Sequence, residues 1–232
     1  MNCLPKQASA ARRSRNYAAP ARSSNTRTTP YKSETGRIPM RAGLISDTHI
    51  PEAMDELWPQ VYDVFDGVDC ILHAGDIYDI RVIDQLSEIA PVYAARGNGD
   101  DGSGGREFQP DDARLRETWL LDLGNFKVGL THYIPMPEMP PNLTVGRWVN
   151  KLFGDERPDV LMFGDTHVEQ VDEIDGILVV NPGSPTFPHN LNTQLGTVGF
   201  LELGGEKPVA TIHQLTEHGI EPFDWSNSRR PW

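Results

Sequence analysis

Three short apolar runs between residues 42 and 100, separated by stretches of helical spacing, leave few architectures open to this chain. Residues 42–46 read A-G-L-I-S and stop at Asp47. Asp69–His73 (D-C-I-L-H) is closed by Ala-Gly-Asp at 74–76, and Pro91–Ala95 (P-V-Y-A-A) runs into Arg96-Gly-Asn-Gly-Asp100. Between the first two runs, Met54, Leu57, Val61, Val64 and Phe65 recur at near-helical steps. They predict a helix over Pro51–Asp66 that starts on Pro51 and stops at Gly67. Pro59 inside it predicts a kink or two shorter pieces. Ile80, Ile83, Leu86 and Ile89 predict a one-faced helix over Asp79–Ala90. Strand, helix, strand, helix, strand implies a parallel sheet made with right-handed crossovers. Loops past the carboxyl ends of such strands gather along one edge. Asp47 and His49, then Asp76, then Asn98 and Asp100 are therefore expected on that edge together.

After a Gly- and charge-rich loop over 101–116 the pattern changes. Thr118–Leu123 and Lys127–Leu130 flank Gly124-Asn125, a hairpin signal. The second of these strands ends at Thr131-His132-Tyr133. A Pro-rich segment, I-P-M-P-E-M-P-P, is expected as a lid or substrate wall, and Val145–Phe153 as a short helix. Asp159–Phe163 is a further buried strand that ends at Gly164-Asp165-Thr166-His167. Glu169–Ile174 and Ile177–Val180 pair around Asp175-Gly176, a second hairpin, and then meet Asn181-Pro-Gly-Ser184, read as a tight turn. Thr197–Leu203 and Val209–Gln214 add two strands. The expected fold is α/β, a four-layer α/β/β/α sandwich with two mixed sheets and a metal site at the carboxyl ends of the strands.

Asp47, His49, Asp76, Asn98, His132, Asp165 and His167 all stand just after apolar runs, and Asp-Thr-His occurs twice, at 47–49 and 165–167. One Asp or Asn at a strand end is usually a turn former or a helix cap. Three carboxylates, three imidazoles and an amide converging on one edge are different. Crowded carboxylates repel one another unless cations lie between them. Seven ligands exceed the needs of one ion and suffice for two that share a carboxylate, the arrangement that clamps a phosphoryl displacement. Imidazole suits zinc, iron, nickel and manganese, while carboxylate suits manganese and magnesium. His73 is read as packing behind the site, and His189 as a loop residue near its mouth.

The set D-x-H (Asp47, His49), G-D (Gly75, Asp76), G-N (Gly97, Asn98), a lone His132 and G-x-x-H (Gly164, His167) resembles the calcineurin-like metallophosphoesterases. "ISDTHI", "HAGDI", "ARGNGD" and "DGILVVNPGS" resemble its small bacterial and archaeal phosphodiesterase branch, to which the retromer phosphoesterase-like subunit also belongs. The resemblance covers about residues 42–215 and implies a hydrolase for phosphodiesters or activated phosphomonoesters. It implies that Asp47, His49 and His167 hold a first divalent ion, that Asn98 and His132 hold a second, and that Asp76 bridges them. It further implies attack by a metal-bridging hydroxide, with manganese as the first choice of ion and zinc, iron, nickel or magnesium as alternatives. Two positions depart from the wider family. Gly99 replaces the His of G-N-H that protonates a leaving group, leaving Asn98 and Asp100 as the catalytic candidates there. Asp165 replaces the first His of G-H-T-H, a ligand of the second metal. These departures keep a second reading open, a catalytically weak phosphoesterase-like scaffold for protein interactions.

Charge bounds the partners. Residues 1–41 carry nine Lys or Arg and one acid, whereas the remaining residues carry twelve basic and thirty-two acidic ones. A body near −20 argues against general nucleic-acid or anionic-membrane binding, since both need clustered positive charge. A phosphate-ester small molecule is the expected partner, with a homo-oligomer left open. Cys3 and Cys70 make no disulfide framework, and no apolar run nears the roughly 18 residues of a membrane span, so a soluble, cytoplasmic protein is expected. Residues 1–40, rich in Ala, Ser, Thr and Arg, are expected to form a disordered basic leader. An organelle transit peptide, a start site placed ahead of Met40 and an interaction tail all remain open for it. Residues 41–220 are read as the metallophosphoesterase domain and 221–232 as a C-terminal tail.

Overall fold

The computed structural model describes residues 39–190, 195–226 and 228–230. Apart from Pro39 and Met40, the leader expected over 1–40 lies outside them. The first strand, β1 (Arg41–Ile45), is followed by α1 (Pro59–Val64), β2 (Cys70–His73), α2 (Arg81–Ser87) and β3 (Val92–Ala95). The helix expected over Pro51–Asp66 keeps only its second half. Pro59 is the first helical residue of α1, where its missing N–H is not needed, and residues 51–58 are turns and irregular chain. A two-residue strand, β4 (Leu115–Arg116), closes the 101–116 loop where none was expected. It reads as loop in sequence because Asp112 and Arg114 surround its single buried side chain, Leu115.

The second half gives β5 (Thr118–Leu123), β6 (Phe126–Thr131), α3 (Val145–Phe153), β7 (Val160–Met162), β8 (Gln170–Ile174) and β9 (Ile177–Asn181). Three strands finish the chain: β10 (Thr197–Glu202), β11 (Val209–Thr216) and β12 (Gly219–Pro222). Two mixed sheets result, ordered β12-β11-β10-β1-β2-β3-β4 and β5-β6-β7-β9-β8. Strands β1, β2, β3 and β4 run parallel, as do β6, β7 and β9 in the other sheet. The antiparallel strands are confined to the flanks.

Alternation along each strand assigns side chains to separate cores. Ile45 and Ile71 join Val61, Phe65 and Ile83 in a core under α1 and α2. Their neighbours Leu44 and Leu72 face Leu130, Met162 and Val180 of the other sheet in a central core. On the far side of that sheet, Leu161 and Val179 pack with Val145 and Val149 of α3. Among the described residues no helix is long and apolar enough to cross a membrane.

Ordered structure continues past residue 220. Strand β12 pairs with β11 out to Pro222, and Phe223 is buried in the central core. Beyond it, the Arg229 N–H donates to Asn190 Oδ1 at 2.8 Å and Arg230 pairs with Asp172 at 2.8 Å. Proline at 222 hid the strand, because it fits only an edge position. Phe65 is the key to the outer core: its ring lies over Gly43, where a Cβ would come within 2.8 Å, and meets Phe200 edge-on at 5.9 Å. Phe65→Ala should lower stability by about 3–5 kcal/mol in urea denaturation, and Phe65→Leu by clearly less.

Candidate metal centre

The loops after β1, β2, β3, β6 and β7 each deliver a polar group to one place. The loop after β1 is laid along the loop after β2 by Asp47 N–H to Gly75 O (2.9 Å) and His49 N–H to Asp76 O (3.0 Å). The loop after β7 is joined to that after β1 by Asp165 N–H to Asp47 Oδ1 at 3.1 Å. Both Asp-Thr-His tripeptides adopt the same unusual backbone. Asp47 and His49 have φ of 54° and 47°, and Asp165 and His167 have 64° and 57°. Left-handed residues other than Gly are strained, and Asp and His tolerate it better than most. The result is that Asp and His turn inward while the Thr between them is tied outward. Thr48 Oγ1 bonds His73 Nε2 at 3.2 Å, and Thr166 Oγ1 accepts from Asn181 Nδ2 at 3.1 Å.

The inward groups form two overlapping sets, Asp47–His49–His167 and Asp47–Asp76–His132, with ligand atoms within 4.8 Å of one another in each. His167 Nε2 lies 3.6 Å from Asp47 Oδ1, and His49 Nε2 lies 3.3 Å from Asp76 Oδ2. His132 Nε2 is 3.4 Å from Asp76 Oδ1 and 3.1 Å from Asn98 Oδ1. Asp76 thus faces a histidine of each set with separate oxygens, and Asp47 is common to both. Asp165 stands further out, half-exposed, with its carboxylate 3.6 Å from His132 Nε2, and belongs to neither set.

The donor set fits divalent cations. Asp47 Oδ2 is buried without a hydrogen-bond partner, a costly state for a group that a cation would satisfy. His132 Nδ1 lies 2.7 Å from Ala74 O, and His167 Nδ1 lies 2.6 Å from Phe187 O. A carbonyl only accepts, so each Nδ1 carries its hydrogen and each Nε2 is aimed at the centre, the arrangement typical of metal-binding imidazoles. Burial pushes the Asp47 carboxyl above its ordinary range. For Asp76 burial acts in the same direction, but hydrogen bonding to His49, the charge of His132 and the Gly99 N–H outweigh it and hold the group low. Burial opposes charge on His132, yet Asp165, Asp47 and Asp76 around it prevail and push it up to about 10.

Asp100, expected beside Asn98 as a catalytic candidate or a carboxylate supporting the site, is held by backbone. It has no solvent exposure, and its carboxylate accepts the N–H groups of Ile77, Tyr78 and Gly97, each at 2.9 Å. It is a positioning residue that clamps the Asp76 and Asn98 loops together. His73 packs behind the site as expected, fully buried, with burial pushing its imidazole down to about 3. His189 is exposed, and Arg96 and Arg147 give no contact to the ligand sets. The Pro-rich segment does not line the cavity beside the centre; Glu138 within it instead accepts the Val145 N–H at the start of α3 (2.6 Å).

Four contributors escaped the sequence reading. Ser184 Oγ donates to Asp47 O at 2.7 Å, and Asn181 Nδ2 donates to Gly164 O at 2.8 Å. The Asn181–Ser184 turn therefore steadies both tripeptides with its side chains. Tyr78 and Phe187 lay their rings against His49, with centroids 4.3 and 5.7 Å away. Only the placement of 181–184 at a parallel strand end signalled any of this, since the contacts are distant in sequence.

The family model of the calcineurin-like phosphoesterase superfamily domain matches residues 40–206. The chain belongs to this superfamily. Within it, a probable metallophosphoesterase of Methanothermobacter thermautotrophicus is 35% identical over 173 residues, which cover 75% of this chain and 91% of that protein. A phosphodiesterase of Methanocaldococcus jannaschii is 25% identical over 182 residues, covering 70% and 93%. Among solved structures, the vacuolar protein sorting 29 protein of Cryptosporidium parvum shares the fold, with a TM-score of 0.61, 24% identity, and coverage of 79% and 95%.

Cation uptake must displace the His132 proton, so it should release protons below pH 10 and strengthen as pH rises from 6 to 9. Calorimetric titration with manganese in two buffers of different ionisation enthalpy would measure that release. In the metal-free protein the sign is reversed: His132 is raised above its ordinary value, so its stabilising contribution is complete below about pH 6.5 and lost as pH climbs through 10. Asn181→Ala and Ser184→Ala should each weaken metal affinity about 10–100-fold without unfolding the chain.

Proposed function

We propose that this phosphoesterase is a dinuclear phosphodiesterase, hydrolysing phosphodiesters or activated phosphomonoesters. The observation that carries the reading is the pair of ligand sets sharing Asp47, with Asp76 directed at a histidine of each. Asp47, His49 and His167 would hold one ion, and His132 with Asn98 the other. When bound, two divalent cations activate a water and neutralise charge on the phosphoryl oxygens. The chain supplies the rest. His132 and His167 are locked in orientation by Ala74 O and Phe187 O, and Asp100 fixes the loops that carry Asp76 and Asn98. The phosphodiesterase relative from M. jannaschii supports the choice of a diester.

Gly99 bears on the leaving group. A Cβ there would run into the Tyr78 ring, so the space that a histidine would use is filled by a phenol. With no imidazole to protonate the departing oxygen, good leaving groups such as aryl oxides are favoured over alkyl ones. Manganese is the expected ion, since Asp165 in place of a histidine adds a hard ligand near the second set.

The purified full chain loaded with manganese should contain close to two ions and hydrolyse bis(p-nitrophenyl) phosphate. Asp47→Ala should reduce turnover at least 10³-fold, within the range lost when electrostatic stabilisation of a transition state is removed. A metal-free, stable protein without turnover would favour the alternative role as an interaction scaffold. Asp165→His should tighten the second ion, read as occupancy at limiting manganese by elemental analysis.

A further inference from the structure

A cavity of about 430 Å³ opens beside the second ligand set and shares Asn98, His132 and Asp165 with it. Its far wall is Tyr133, Trp148 and Leu152. The two rings meet edge to face at 5.2 Å, and the Trp148 indole N–H is already given to Tyr133 O at 2.9 Å. The indole therefore offers carbon, not a donor, to whatever enters. A volume of this size accommodates an aryl group or a nucleoside and greatly exceeds a methyl or a water cluster.

The charge of the lining is equally selective. Asp101 and Glu117 add carboxylates, and the cation of the lining, Arg96, is committed. Its guanidinium donates to Asp100 O and Gln109 O at 3.1 and 2.8 Å, faces Glu117 at 3.7 Å and stacks on Phe108 at 4.6 Å. Lys151 sits over the Trp148 ring at 4.1 Å, outside the lining. A phosphate or carboxylate inside the cavity would meet the carboxylates of Asp101, Glu117 and Asp165, with the Arg96 guanidinium already engaged.

Resting on the phosphoesterase reading above, the geometry points to a substrate whose ester arm on the side of the second ion is planar, apolar and uncharged. Such an arm lies along Trp148, Tyr133 and Leu152 while the phosphorus stays at the ligand sets. This cavity then selects aryl esters and rejects those whose arm carries a further phosphate.

The test is calorimetric binding of phosphonates to the manganese-loaded full chain, with no turnover required. Phenylphosphonate should bind about tenfold more tightly than methylphosphonate, toward the lower end of what aromatic contact contributes. 4-Nitrophenylphosphonate should bind about tenfold more tightly than 4-carboxyphenylphosphonate, which matches it in shape and adds a charge. The phenyl-to-methyl ratio should fall toward unity in Trp148→Ala. Because Trp148 also packs on the α3 core, Tyr133→Ala, at an exposed residue, gives a second measurement with thermal melts alongside. Equal affinity for phenyl and methyl in the unaltered protein, or a ratio that survives both substitutions, would overturn the cavity assignment alone. Equal affinity for the nitro and carboxy ligands would overturn the requirement for an uncharged arm. Failure of every phosphonate to bind metal-loaded protein would overturn the phosphoesterase reading and this inference with it.

Discussion

The carboxylate of Asp47 has no solvent exposure and lies where the two sheets meet. Its oxygen Oδ1 receives the Asp165 N–H from the other sheet, and its backbone is gripped from both sides, by Gly75 O and by the Ser184 hydroxyl. An ionised group in that position is tolerated only when positive charge surrounds it. The three imidazoles, the left-handed turns that aim His49 and His167, and the glycines that let the loops approach all serve this requirement. Gly164 is the clearest instance: a Cβ would collide with Ser46 Oγ and Asp47 Oδ2. The loops of two separate sheets can share one centre only because that side chain is missing.

Much of this was readable in the chain. Strands β1, β2 and β3 are short, mostly apolar and each closed by a candidate ligand, so their type, order and direction were plain, and so was the edge where their loops meet. Helix α3 and both hairpins were equally legible, with the turn pairs in the expected places. What escaped is instructive in kind. Apolar spacing over 51–58 imitates a helix, but Pro59 can only begin one. Strands β4 and β12 have too few buried side chains to announce themselves, being stabilised by pairing with neighbours remote in sequence. Asp100 stood in the right loop and looked catalytic, yet three backbone N–H groups use its oxygens, and no local pattern distinguishes a carboxylate that binds backbone from one that faces substrate.

The departures at Gly99 and Asp165 belong to different sides of the site. Near Gly99 the Tyr78 ring has moved into the vacant volume and is itself packed by the Arg106 guanidinium, 4.6 Å above it, which pairs with Glu52. That is a well-filled replacement, with the phenol pushed up to about 12 by burial and by Asp76, so it stays a neutral wall at physiological pH. Asp165 is the opposite case. It remains partly exposed at the mouth, close to His132 and touching the cavity, where its reach is adjustable. One change closes the site toward the first ligand set, while the other leaves the second set open toward its cavity.

The parallel strands that feed the centre come from both sheets, and this gives the cations a mechanical role as well as a chemical one. Asp47, His49 and Asp76 hang from the seven-stranded sheet, whereas His132 and His167 hang from the five-stranded one. An ion bound by either set would consequently be a rivet through two plates that are otherwise joined by side-chain packing along the central core and by hydrogen bonds between their loops. A cation that binds only the folded chain would add its binding free energy to the hold between the two sheets.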